Sequence, residues 1–145
     1  MTDKAAAAKD WLNRNYSKHE EIQALRMKLE DMRAGSVKAV SVPEADKVQT
    51  QPDPKSGENY ILAIVTFEEM VSQKERQLRL SDLETARTID LVPDPIQRAI
   101  LIYRYLSYQH WNHISKVMGY SEGHLFKLHE DALEAIADKI NYTVT

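Results

Sequence analysis

The chain has 145 residues, 43% of them hydrophobic and 28% charged, with a net charge of −3. That composition suits one domain of modest core, or a small domain with an extension, and excludes wholesale disorder. It contains no cysteine, which excludes disulfides and thiolate metal sites, and its acid excess argues against gripping nucleic acid by charge alone.

The opening MTDKAAAAKD has no apolar leader core, and no run approaches membrane-spanning length, so a cytoplasmic location and no membrane partner are expected. The first predicted helix runs from about Lys4 to Arg33. Its apolar positions Leu12, Tyr16, Ile22, Leu25, Leu29 and Met32 fall at helical spacing, with Glu and Lys on the other face. Gly35 stands where such a helix normally stops. Residues 34–57 read as a linker, because Pro43, Pro52 and Pro54 sit in a polar run without periodicity. A loop of that length is either mobile or functional.

A second long helix is predicted from Gly57 or Glu58 to about Leu91. Ile64, Val71 and Leu78 recur every seven residues, flanked by Ile61, Phe67 and Met70. This pattern suits packing against one helical partner. The two helices would be roughly 45 and 50 Å long, and an antiparallel hairpin buries both stripes. Trp11, Met27 and Phe67 are left over by such one-sided packing, which points to homo-oligomerisation.

Pro93 and Pro95 end the second helix, and Asp94 is placed to cap the next. Ile96, Ala99, Ile100, Ile102, Tyr103 and Leu106 give that helix an apolar face, and Ser107 to His110 break it. Trp111, Ile114, Val117 and Met118 mark a short helix. Gly119 permits a left-handed turn, and Ser121 caps a last helix whose Leu125, Leu128, Ala132 and Ile136 face inward. His129 reads as a polar position at the rim of that helix. Phe126 reads equally as a partner contact or a covered surface residue.

Helix, tight turn and helix in this arrangement make a helix-turn-helix DNA reader. Its candidate DNA-binding residues follow from chemistry. Lys127 reaches a base acceptor or phosphate, His124 donates to guanine or phosphate, and Glu122 accepts from a cytosine amino group. Ser121 and the amides at the helix start suit a phosphate, while Arg104, His113 and Lys116 clamp the flanking backbone. Residues 93–145 carry five Lys or Arg against six Asp or Glu, so useful affinity needs a dimer or a partner. His110 and His113 stand three apart with no third ligand, so no metal site is expected. No nucleophile with a base, carboxylate cluster or phosphate loop is present in the sequence pattern, so neither catalysis nor a cofactor is expected.

GYSEGHLFKLHEDALEAI resembles the recognition helix of region 4 in bacterial sigma factors, including the Ala132–Leu133 pair. The preceding RAILIYRYLSYQHWNHISKVMGYS resembles that family's first reader helices. The whole chain is similar to small phage-encoded regulators of the ArpU-like and RinA-like group. The shared features are a long first helix, a polar loop with Val48 and Gln49, a second long helix and a Tyr120–Ser121 turn. The resemblance implies sequence-specific binding of double-stranded DNA, activation of late genes in a bacterial host, and contact with RNA polymerase. It carries Ser121, Glu122, His124 and Lys127 over as groove residues. Phe126, Glu130 and Asp131 depart from the family, standing at positions often basic in sigma factors.

The expected architecture is all-α: a long antiparallel helical hairpin over residues 1–92, then a sigma-region-4-like helix-turn-helix domain over residues 93–145. Two rivals are a small-terminase-like DNA-packaging protein and an interaction module that binds host polymerase.

Overall fold

Thr2 opens the first helix by accepting a hydrogen bond from the Ala5 amide at 3.1 Å. A computed structural model describes residues 1–41 and 56–142 of the chain, with side chains for 1–35 and 57–142. Helix α1 spans Asp3–Leu12, a 3-10 turn covers Asn13–Asn15, and α2 runs from Tyr16–Ser41. Helix α3 spans Ser56–Asp90, α4 Pro95–Leu101, α5 Trp111–Met118 and α6 Glu122–Ala137. The fold is all-α, with no strand among the described residues.

The predicted first helix is interrupted at Asn13–Asn15. Asparagine side chains compete with helical backbone bonds, and here they find partners elsewhere. The Asn15 amide is buried, donating to Asp82 at 3.3 Å and accepting from the Ser81 hydroxyl at 2.8 Å. Arg14 reaches the Trp11 carbonyl at 3.0 Å and the Thr85 hydroxyl at 2.9 Å. Gly35, by contrast, does not end its helix. The Tyr60 hydroxyl donates to the Met32 carbonyl at 2.6 Å, and a Cβ on Gly35 would stand 2.6 Å from that hydroxyl oxygen. The glycine makes room for a phenol. The Val48–Gln49 element and most of the expected 34–57 loop lie outside the described residues.

By packing, the chain divides into two compact units, residues 1–18 with 78–145, and residues 19–77. In the first unit Ala5, Ala8, Trp11 and Leu12 of α1 share a core with Ile89, Val92, Leu101 and Tyr105. Ala132, Leu133, Ile136, Ala137 and Ile140 complete it. Alanines let α1 approach α6 closely, a packing that a search for large apolar residues overlooks. Trp11, expected to be left over, belongs to this core. Ile100, Ile114 and Leu125 form a second cluster, with Tyr103, Trp111, Met118 and Leu128 against it.

In the second unit, ion pairs join α2 to α3: Glu21 with Lys74 at 2.8 Å, Arg26 with Glu75 at 2.7 Å and Arg33 with Glu68 at 2.9 Å. Tyr60 meets Met32 further along. Glu21 and Arg26 meet α3 at 74 and 75, whereas Met32 and Arg33 meet it at 60 and 68, so the helices run antiparallel. Exposed pairs of this kind add at most about 1 kcal/mol each and serve mainly to align the helices. Ile22, Leu29 and Val71 are the buried side chains among the described residues of this unit. Met27, Ile61, Leu62, Val65 and Met70 remain exposed.

Candidate functional site

Asp94 accepts from the Ile96 amide at 2.8 Å and Pro95 takes the first helical position, so α4 starts where the sequence places it. Beyond Leu101 the helix widens into a π turn, Ile102–Leu106, closed by the Ser107 amide on the Ile102 carbonyl at 3.0 Å. Helix α5 follows after a break, then Gly119 with φ of 74°, then Ser121 accepting from the His124 amide at 3.2 Å to start α6. The Ser115 hydroxyl donates to the Tyr120 carbonyl and braces the turn.

Helix α6 is anchored along most of its length. Leu125 belongs to the cluster with α5, whereas Ala132, Leu133, Ile136 and Ala137 belong to the core with α1. Its first turns stay outside: Ser121, Glu122, Gly123, His124, Phe126 and Lys127 are all exposed. His113 and Lys116 on α5 are exposed as well. The local charge is mixed, because Glu130 and Asp131 are exposed one turn beyond Lys127. The His124 ring packs edge-on against Tyr120, with centroids 5.1 Å apart.

Arg104 has different surroundings. It is half-buried, donates to the Gln109 carbonyl at 2.9 Å and lies over the Trp111 ring at 4.9 Å. Trp111 is the hub of this end of the unit. It meets the Phe126 ring edge-on at 5.4 Å and the His129 ring at 4.6 Å. Phe126 thus rests one edge on Trp111 while 44% of it stays exposed.

His129 is not at the rim of α6: it is buried, 5% exposed. Its Nε2 lies 2.7 Å from the Tyr105 hydroxyl. Burial drives its pKa down to about 4, with the positive charges of Lys9 and Arg104 acting in the same direction. Burial also raises the Tyr105 phenol, so phenol and imidazole are both neutral and share one hydrogen bond. The periodicity held the signal for this. Leu125, His129, Ala132 and Ile136 step 4, 3 and 4, so His129 lies on the inner stripe. Its polar character masked that place.

Among the described residues, no group of three His, Asp or Glu side chains is arranged to hold a metal ion, and no helix is long and apolar enough to cross a membrane. No protein-family model, curated protein or solved structure matches the chain.

Proposed function

We propose that this protein is a sequence-specific DNA-binding regulator of transcription, of phage or prophage type, in which α5, the Gly119 turn and α6 act as a sigma-region-4-like helix-turn-helix. One observation carries the reading: α6 is fixed along its inner face by two apolar clusters while its N-terminal turns stay exposed. That is what insertion into a major groove requires of a reader helix. In this reading Lys127, His124 and Glu122 face base edges, while Ser121, His113 and Lys116 face phosphates. Arg104, half-buried and over Trp111, fits a backbone clamp less well than these exposed residues do. Activation of late genes, contact with host RNA polymerase and a cytoplasmic location belong to the same reading.

The test is binding of the purified chain to the DNA flanking its own gene, over a salt series with random DNA as competitor. Specific retention that weakens steeply with salt is expected. Absence of specific retention at low salt would overturn the DNA reading. Capture of polymerase in that case would favour the interaction module, a reading supported by exposed Phe126 beside Glu122, Glu130 and Asp131.

Assembly of the helical hairpin made by α2 and α3 is part of the proposal. Among the described residues of the 19–77 unit only Ile22, Leu29 and Val71 are buried, a thin core, and the exposed Leu62, Val65 and Met70 of α3 are suited to a second copy. Sedimentation should give a species larger than a monomer, and Leu62→Glu should shift it towards monomer. A ring of eight or more subunits would instead favour the packaging protein. A monomeric wild-type chain would remove the assembly proposal.

A further inference from the structure

Two interruptions of helical geometry border one cavity in the unit of residues 1–18 and 78–145. The first is the 3-10 turn Asn13–Asn15 after α1, and the second is the π turn Ile102–Leu106 after α4. The open cavity, about 480 Å³, is lined by Asn13, Tyr16, Ser17, Arg104, Tyr108 and His110. Ligand clefts commonly take about 300–1,000 Å³. π turns occur often at functional sites, because the extra residue re-aims side chains.

Tyr108 is the one non-glycine residue with positive φ, 53°, among the described residues. A bulky side chain disfavours that region, and strain of this kind concentrates at ligand sites. Its ring meets Tyr16 with centroids 5.6 Å apart at 57°. Burial, aided by the Asp82 carboxylate and opposed by Arg14, pushes the Tyr108 phenol up to about 12, so it is a neutral hydrogen-bond donor at neutral pH. Arg104 brings the positive charge. Its fork of five N–H donors makes one bond to the Gln109 carbonyl, and among the described residues no carboxylate lines the cavity.

We propose that this cavity binds a small anion carrying a planar ring, of the mononucleotide class. Arg104 and His110 hold the anionic group, the exposed Tyr16 ring offers a stacking face, and Asn13 and Ser17 reach polar atoms at the ring's edge. An arginine beside a histidine suits phosphate, and an aromatic wall adds a contact that inorganic phosphate cannot use. Of the residues put forward for DNA contact, Arg104 alone lines the cavity; Ser121, Glu122, His124, Lys127, His113 and Lys116 do not, so the two readings share only that side chain.

The full chain, without DNA, is titrated by calorimetry with the four ribonucleoside monophosphates, with inorganic phosphate and adenosine as parallel probes. At least one monophosphate should bind about tenfold or more tightly than either phosphate or adenosine, because stacking and charge act together. Tyr16→Ala and Arg104→Gln should each weaken that binding by about tenfold, while Lys28→Ala, at an exposed position of α2, leaves it unchanged. Tyr16 is half-exposed, so Tyr16→Ala decides the matter if Arg104→Gln does not fold. Trp111 fluorescence should shift on binding, since Arg104 lies over that ring. No monophosphate exceeding phosphate and adenosine, or undiminished binding in folded Tyr16→Ala, would overturn the proposal.

Discussion

Alanine at both His124 and Lys127 is expected to lower specific DNA affinity by about a hundredfold or more, with helicity unchanged. Each good base contact discriminates by about 1–3 kcal/mol, and two such losses on one helix multiply in the binding constant. The substitutions fall on exposed positions at the start of α6, so they leave both apolar clusters intact. Alanine is also a better helix former than histidine and no worse than lysine, so circular dichroism should show an undiminished helix. Ser121 keeps its cap in the double variant. Losing the lysine should reduce the slope of log affinity against log salt by about one. Footprinting on the wild-type site is the measurement. A footprint in the double variant equal to wild type would remove these residues from the groove.

Acidification should destabilise the fold through His129. Its native pKa is held down to about 4, against about 6.5 in an unfolded chain. The unfolded state therefore takes up a proton first as pH falls. The stabilisation tied to the neutral ring is complete above about 6.5 and is lost as pH falls towards 4. At pH 5 the loss amounts to about 2 kcal/mol, a large share of a small domain's stability. The cause is structural: the buried ring packs against Tyr105 and Trp111, and Nε2 shares a hydrogen bond with the Tyr105 phenol. Protonation would bury a cation near Lys9 and Arg104. Denaturant unfolding at pH 7.5 and pH 5 measures the effect. His129→Gln, which keeps a polar group that does not titrate, should lose much less stability between the two. An equal loss in the variant would place the responsible titration elsewhere.

Much of the chain is legible from its residues. Asp94–Pro95, Gly119 and Ser121 act through geometry local to themselves, so their caps and turn fall where expected. The limits of α3 follow likewise from Gly57 and the Pro93–Pro95 pair. The helix interior at Gly35 and the break at Asn13–Asn15 were not legible, because their causes lie far along the chain, in Tyr60 and in Ser81, Asp82 and Thr85. The exposed set on α6 follows from the inner stripe of the same helix, and its place at the surface needs no distant partner.

Composition and periodicity by themselves determined an all-helical chain, the limits of most of its helices and which face of α6 turns inward, since each depends on contacts within a few residues. Tertiary structure decided the rest. It set α1 on α6 through small alanines, joined residues 1–18 with 78–145 in one compact unit, buried His129 and drew Arg104 and Tyr108 to one cavity. Those outcomes depend on which surfaces meet, and long-range packing of small or polar side chains leaves little trace in hydrophobic periodicity.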